Sequence, residues 1–176
     1  MRVGISGLPG SGKTTVARGL SEVFGLEYFS MGSIFRGIAG ERDITLEELS
    51  RISETDSSMD AQIERTQVEI LKRDDVILDS RLSCWLMHKE NIPGMKVWIT
   101  APIDVRANRI CRREKASPEE VRINIERREL SEKRRYMKYY GIDLTALSIY
   151  DIIINNRAMN PGQACDIVTV VYGGKR

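Results

Sequence analysis

Nine residues near the start of the sequence have the composition needed to bind phosphate groups. The stretch from position 7 to 14 reads G-L-P-G-S-G-K-T and matches G-x-x-x-x-G-K-[ST] in full. Its glycines let successive backbone N–H groups turn inward around a β-phosphate, and the start of a following helix adds its dipole. Lys13 would bridge the β- and γ-phosphates, and the Thr14 hydroxyl would ligate Mg²⁺. We predict a nucleoside triphosphate site made of Gly7, Leu8, Pro9, Gly10, Ser11, Gly12, Lys13, Thr14 and Thr15.

A second candidate ligand for the metal is an acid at the end of an apolar run. Residues 76–79 read V-I-L-D, which predicts a buried strand that ends in Asp79. An acid in this position resembles the Walker B residue that holds Mg²⁺ directly or through water. The competing interpretation is that Asp79 caps the helix that follows it.

The hydrophobic pattern around these residues alternates between strands and helices. It predicts strands at 2–6, 26–30, 76–79, 95–100 and 151–154. Helices are predicted at 13–24, 32–42, 59–72, 82–89, 102–113 and 117–140, with others opening at Thr45 and Pro161. Such alternation is typical of a mainly parallel sheet covered on both faces. We expect one α/β domain over residues 1–176, with helical excursions at 31–72 and 102–140.

Composition excludes several classes of protein. The three cysteines, at 84, 111 and 165, are far apart and form no C-x-x-C pair, which argues against a disulfide framework or a zinc site. His88 is the single histidine, so Ser-His-Asp catalysis is excluded. No apolar run is long enough for a membrane helix, and the first residues lack the pattern of a signal peptide. We therefore expect a cytoplasmic protein without a membrane partner.

Positive charge is concentrated in one segment. The net charge of the chain is +2, but residues 106–135 hold eleven lysines or arginines against six glutamates. A concentrated basic stretch suggests that a polyanion is bound there. It could be the phosphates of a small substrate, or a nucleic acid bound by an NTPase. The interspersed glutamates argue against the nucleic acid.

The type of phosphate-loop protein can be narrowed further by what the sequence lacks. A GTP-dependent switch would need N-K-x-D and D-x-x-G, and neither motif is present. ABC and AAA+ motors need considerably longer chains. Small-molecule kinases remain.

Four stretches resemble the nucleoside monophosphate kinases, and most closely the archaeal-type cytidylate kinases. They are I-S-G-L-P-G-S-G-K-T-T-V-A at 5–17, S-M-G-S-I-F-R at 30–36, L-D-S-R-L-S-C-W at 78–85 and Y-G-I-D-x-x-x-L-S-I-Y-D-x-x-I-N at 140–155. The resemblance implies a P-loop NTPase fold with a five-stranded parallel sheet, a helical acceptor-binding insert and a helical lid. It also implies Mg²⁺-dependent phosphorylation of CMP or dCMP by ATP.

The same resemblance assigns the acceptor site. Arg36 would hold the acceptor phosphate, and Arg81 would reach the same phosphate or the base. The acceptor-binding residues implied are Ser30, Gly32, Phe35, Arg36, Asp79 and Arg81. The chain departs from the family pattern Asp/Glu-Gly-Arg, because Ser80 replaces the glycine. If that glycine allows close approach of the nucleotide, the serine would disturb the fit of the acceptor.

The lid is assigned in a similar way. The stretch R-E-L-S-E-K-R-R-Y resembles the cytidylate kinase signature R-D-x-x-D-x-x-R, with Glu129 and Glu132 in the acidic places. Arg128 and Arg135 would then clamp the transferring phosphoryl group, which makes them catalytic with Lys13 and Arg36. Arg109 would lie at the start of the lid and stack on the donor adenine. The competing interpretation, a solvated charged helix with Glu–Arg pairs, would describe about half of the eleven basic residues.

The preferred hypothesis is therefore a monomeric ATP:CMP/dCMP phosphotransferase that requires Mg²⁺. An adenylate kinase or another small-molecule kinase is the alternative within the same class. A shikimate-type kinase is disfavoured, because it would have acidic residues after the second strand and three glycines after the third. Those places here read S-M-G at 30–32 and D-S-R at 79–81.

Overall fold

Five parallel strands form one sheet in the computed structural model, which describes residues 1–45, 48–49, 51–52, 57–114 and 116–173. The spatial order is β2-β3-β1-β4-β5. The strands are β1 Arg2–Gly7, β2 Glu27–Ser30, β3 Val76–Asp79, β4 Met95–Thr100 and β5 Ile152–Asn155. This arrangement confirms the predicted P-loop NTPase fold with a five-stranded parallel sheet.

Helices connect the strands. Within the described residues they are α1 Lys13–Phe24, α2 Met31–Glu41, α3 Ser57–Lys72, α4 Ser83–Lys89, α5 Ile103–Glu114, α6 Pro118–Tyr140 and α7 Pro161–Gly173. Two of them, α2 and α3, lie between β2 and β3, and α5 and α6 lie between β4 and β5. None of the helices in this described part is both long and apolar enough to cross a membrane.

The two faces of the sheet are covered by different helices. Val3 and Ile5 of β1 are fully buried in a cluster with residues of α1 and α7. Gly4, between them, faces α4 so closely that a Cβ there would lie 2.7 Å from Met87 Sδ. Alternate residues of a strand point to opposite faces, so both faces are apolar, as expected for a parallel sheet. All three cysteines are free, and Cys84 and Cys165 are buried.

Helix ends follow the local sequence signals. Ser117 Oγ accepts from Glu120 N at 3.3 Å to begin α6, and Gly141, with φ 65°, ends it. The capping box at Thr45 is present, since Glu48 N donates to Thr45 Oγ1 at 3.1 Å. Residues 46–47, 50 and 53–56, which follow Thr45 and precede the next predicted helix, lie outside the described residues. Val23, near the end of α1, is 58% exposed although it lies two turns after the fully buried Val16.

The register of the sheet gathers the strand ends that carry polar residues. Asp79 of β3 lies level with Ser30 of β2 and with Ile5 of β1, and β1 continues from there into the phosphate loop. On the other side, Thr100 lies level with Asn155. Parallel strands end at the same edge, so the loop, Asp79 and the polar residues after β5 meet there.

Candidate active site

A cleft of about 860 Å³ opens above this edge. The phosphate loop and the start of α1 form its floor. Residues of α2 and α3 form one wall, and residues of α5 and α6 form the other. The two helical excursions therefore face each other across the loop, which is where a kinase needs its donor and acceptor to meet.

The glycines of the phosphate loop are required by the backbone. Gly7, Gly10 and Gly12 have φ values of 147°, 73° and 97°, which side chains rarely adopt. A Cβ at Gly7 would lie 2.0 Å from Ile99 O, and one at Gly12 would lie 2.4 Å from Asn156 Nδ2. The loop is thus pressed against β4 and the end of β5, with α1 beginning directly after it.

Lys13 occupies the first position of α1 and reaches back over the loop. Its Nζ donates to Leu8 O at 3.1 Å. Burial, together with the nearby Arg81 guanidinium, lowers the pKa of Lys13 to about 7. An anion bound in the loop would reverse this effect, because it favours the charged ammonium.

Thr14 and Asp79 form a compact pair of oxygen groups at the loop. Thr14 Oγ1 donates to Asp79 Oδ2 at 2.5 Å, and the Tyr28 hydroxyl approaches the same oxygen at 3.4 Å. Asp79 is 4% exposed. The helix after it, α4, has Leu82 at its N-cap with no side-chain cap, so Asp79 does not cap that helix. A hydroxyl and a carboxylate side by side are suitable ligands for Mg²⁺.

The predicted acceptor residues lie at the start of α2. Gly32, Phe35 and Arg36 line the cleft. Arg36 Nη2 donates to Ser33 Oγ at 3.2 Å, and the guanidinium lies above Gly32, where a Cβ would be 3.5 Å from Nη1. Ser30 has a different position: its hydroxyl accepts from Ser33 N and caps α2, and it does not line the cleft.

Ser80 is accommodated by a glutamine that the sequence analysis did not identify. Ser80 Oγ donates to Gln67 Oε1, and it also accepts from Leu82 N at 3.1 Å. Gln67 belongs to α3 and is 3% exposed, and its Nε2 donates to Ile63 O at 3.3 Å. The backbone at 80 has no positive φ. A glycine is therefore not needed there for conformational reasons, and the serine hydroxyl is bonded to the wall of the cleft.

Arg81 and Arg128 are both held by one carboxylate. Glu132 of α6 accepts from Arg81 Nε at 2.7 Å and from Arg128 Nε at 2.9 Å, and it is 2% exposed. Arg81 Nη1 also donates to Gly7 O in the phosphate loop. Burial alone would raise the pKa of the Glu132 carboxyl, but neighbouring guanidinium groups, that of Arg81 foremost, lower it to about 2.

Arg135, two turns after Arg128, is the most deeply buried of the predicted catalytic arginines. It is 2% exposed, lines the cleft and lies with its guanidinium carbon 5.1 Å from the ring centre of Tyr136. Arg122, on the same helix, pairs with Glu126 on the outside, where both side chains are more than half exposed. Helix α6 therefore contains both a buried arginine that lines the cleft and an exposed, paired arginine, the two alternatives that the sequence left open.

Two arginines of α5 hold the outer side of the phosphate loop. Arg109 donates to Ser11 O at 3.2 Å and to Asn156 O at 2.7 Å, and it lines the cleft. Arg106, one turn earlier, donates to Pro9 O at 3.1 Å and to Glu129 Oε1 at 2.5 Å. Arg106 is 4% exposed, so it is no part of a basic surface.

Comparison with known proteins identifies the family of the chain. Residues 2–158 match the model of the cytidylate kinase-like family. The chain belongs to this family. It is 46% identical to a cytidylate kinase of Methanosarcina barkeri, over 97% of this chain and 95% of that protein. It is 43% identical to a cytidylate kinase of Halobacterium salinarum, over 96% of this chain and 87% of that protein. It is 38% identical to a cytidylate kinase of Sulfolobus acidocaldarius, over 99% of this chain and 96% of that protein.

Solved structures resemble this cytidylate kinase-like chain in fold. A shikimate kinase from Bacteroides thetaiotaomicron superposes with a TM-score of 0.65 at 14% identity, over 98% of both chains. A shikimate kinase from Acinetobacter baumannii has a TM-score of 0.63 at 17% identity, over 99% of this chain and 94% of that one. At such identities the likeness shows the P-loop kinase fold and nothing about the acceptor.

Four polar residues of the site, three of them buried, were not predicted from the sequence. Gln67, Arg106 and Asn156 bond to other site residues, and Tyr28 reaches Asp79. One signal was available for Asn156, which directly follows the last strand at the edge where the loop lies. Gln67 and Arg106 sit on helices among apolar neighbours, and nothing local to them indicates a partner.

Proposed function

We propose that the protein transfers the γ-phosphoryl group of ATP to CMP or dCMP, with Mg²⁺ required. The observation that carries the proposal is a single cleft with a complete phosphate loop on its floor and Arg36 and Arg128 on opposite walls. The chain also shares 38–46% identity over nearly its whole length with the three archaeal cytidylate kinases named above. Loop and arginines belong to one chain, so we propose that it works as a monomer. The cytoplasmic location stays a prediction.

The donor would bind in the phosphate loop. Backbone N–H groups and Lys13 would hold the β- and γ-phosphates, and the Thr14–Asp79 pair fits as the site of the metal ion. When bound, Mg²⁺ would neutralise charge on the phosphate oxygens during transfer. Arg109, which lines the cleft beside Ser11, is proposed to contact the donor base.

The acceptor would bind between α2 and α6. Arg36 is proposed to hold its phosphate, and Gly32 and Phe35 would face its nucleoside, near Arg81. Arg128 and Arg135 would then surround the phosphoryl group as it passes from donor to acceptor. Because the negative charge of such a transition state spreads over oxygens that no base can neutralise, positioning and cationic stabilisation supply most of the catalysis.

A panel of nucleoside monophosphates tests the acceptor assignment. We expect CMP, and also dCMP, to give the highest kcat/KM with ATP, UMP to be weaker, and AMP and GMP to be poor. A coupled assay of ADP release measures all five. A higher kcat/KM for AMP than for CMP would contradict the proposal and favour an adenylate kinase.

The nucleic-acid alternative has less support. Of the basic residues of 106–135, Arg106 and Arg135 are buried, and Arg128 is held by Glu132 at the cleft. The exposed Arg122 is paired with a glutamate. These contacts leave a mixed rather than a uniformly basic outer surface, which is a poor match to a polyanionic backbone.

A further inference from the structure

The carbonyl groups of the phosphate loop accept hydrogen bonds from a separate set of side chains. When the N–H groups of a loop turn inward to an anion, its carbonyls turn outward and need partners. Here Gly7 O accepts from Arg81, Pro9 O from Arg106, and Ser11 O from both Arg109 and Asn156. We name this set, Arg81, Arg106, Arg109 and Asn156, the carbonyl collar. It fixes the outer side of the loop and thereby the direction of the inner N–H groups.

Arg106, a member of the carbonyl collar, contacts both the loop and the end of β4. Its Nε donates to Ala101 O at 2.9 Å, which anchors the side chain to the end of β4. Its backbone also touches the loop, since a Cβ at Gly10 would lie 2.6 Å from Arg106 O. The side chain and the main chain of one residue therefore hold both Pro9 and Gly10.

The same guanidinium is bound to the lid helix. Arg106 Nη1, which donates to Pro9 O, also donates to Glu129 Oε1 at 2.5 Å. Glu129 lies on α6 directly after Arg128, and its side chain is 24% exposed. A buried guanidinium is costly without a carboxylate partner. The position of α6 and the shape of the loop at Pro9 are therefore linked through a single nitrogen atom.

We propose that Arg106 is a positioning residue that makes the phosphate-binding form of the loop depend on the position of the lid helix. Glu129 transmits the position of α6, Arg106 passes it to Pro9, and neither residue touches a nucleotide. A lid drawn over the acceptor keeps Glu129 on Arg106 and so favours the donor loop, and by linkage a bound donor favours the closed lid. This inference rests on the proposed function, since it couples a donor site to an acceptor site.

The coupling can be measured by binding alone. Titration calorimetry gives the Kd of CMP with and without a saturating non-hydrolysable ATP analogue, and the ratio of the two is the coupling factor. For the native protein we expect a factor of about five or more, within the usual range of such couplings. Glu129→Gln should lower it to below about two, while the Kd of the analogue alone changes little because Arg106 still holds Pro9. A purely structural role for Glu129 would lower the melting temperature and leave the factor unchanged.

Two further variants keep the test decisive. Glu126→Gln removes a glutamate from the exposed Arg122 pair on the same helix and should retain the native factor. Arg106→Lys replaces a fork of donors by one ammonium, which cannot reach Ala101 O, Pro9 O and Glu129 together. It should lose coupling and weaken the analogue as well, and it decides the test if Glu129→Gln does not fold.

Specific results would overturn the inference. They are a native coupling factor of one, a native factor in folded Glu129→Gln or Arg106→Lys, or an equal loss in Glu126→Gln. A failure of the proposed function would be visible separately, because the native protein would then neither bind nor phosphorylate CMP.

Discussion

The phosphate loop and helix α6, the proposed lid, are both proposed to bind phosphate groups, but they are built differently. The loop uses backbone N–H groups, and the glycines that shape it fall within six consecutive residues, 7–12. Helix α6 uses side chains, and their partners come from distant parts of the chain: Glu132 binds Arg81, and Glu129 binds Arg106. A backbone site is therefore encoded locally, whereas a side-chain site acquires its roles only from the packing of several elements.

Within α6 the same contrast appears between neighbouring turns. Arg122 and Glu126 are an exposed pair, whereas Glu132 is 2% exposed and shared by two arginines. Exposed pairs contribute little to stability, and breaking a buried pair is strongly destabilising. Sequence spacing alone does not separate the two, because all of these residues belong to one charged stretch.

The largest expected effect is on the loop side. Lys13→Ala should abolish phosphoryl transfer and leave the fold intact, because the loop backbone forms without this side chain. Circular dichroism and a coupled turnover assay on the same sample measure both properties. Substantial turnover by the folded variant would show that the donor does not bind at the proposed site.

The lid side is tested by three arginine variants. Arg128→Ala and Arg135→Ala should each lower kcat by about 10³–10⁵-fold, the value of an arginine supplied to such a transition state. The KM for ATP should rise much less, because contacts made mainly in the transition state affect kcat. Arg122→Ala, on the exposed side, should be close to native.

The contrast among these variants decides the assignment. A solvated charged helix would give small and similar effects for all three arginines. Values of kcat for Arg128→Ala and Arg122→Ala within a few-fold of each other would mean that Arg128 is not a lid catalyst. Because Arg135 is buried, its variant is compared only after its free energy of unfolding has been measured.

A smaller effect is expected on stability when Glu132 is changed. Glu132→Gln leaves Arg81 and Arg128 without their shared carboxylate and should lower the free energy of unfolding by about 3–5 kcal/mol at pH 7. The folded pKa of Glu132, about 2, lies below its ordinary value of 4.5. Its contribution is therefore fully present above about pH 4.5 and is lost as the pH falls towards 2.

Urea unfolding at pH 7 and at pH 3 measures this contribution. The difference between native and Glu132→Gln should shrink at pH 3, where the unfolded state takes up a proton that the folded carboxylate does not. Glu126→Gln, on the exposed face, should stay within about 0.5 kcal/mol of native at both pH values. An equal, pH-independent loss in both variants would show that Glu132 has no special electrostatic role.

These tests follow the division between what the sequence predicts and what it does not. The five strands and the helix ends at Gly25, Ser117 and Gly141 follow from alternation, caps and glycines, which are local signals. The resemblance implied five parallel strands, but their order in the sheet was not predicted. The Arg106–Glu129 contact spans 23 residues and the Arg81–Glu132 contact 51, and no local pattern specifies either of them. The same holds for Gln67, whose partner Ser80 was known only as a departure from the family pattern.

The smallest expected effect concerns the proton on Lys13. It tests whether this side chain of the phosphate loop, unlike the loop backbone, changes its state when ATP binds. With a pKa of about 7, Lys13 is mostly neutral at pH 8 in the free protein. Bound triphosphate favours the charged ammonium, so binding of ATP at pH 8 should take up on the order of one proton per site, and much less at pH 6. ATP itself is already ionised at pH 8 and adds little. Titration calorimetry in two buffers with different enthalpies of ionisation gives the number of protons taken up on binding.

Lys13→Arg is the matched control for proton uptake, because its guanidinium stays charged throughout and the variant should bind ATP without taking up a proton. Equal uptake by the native protein and by this variant would mean that Lys13 is already protonated before ATP arrives.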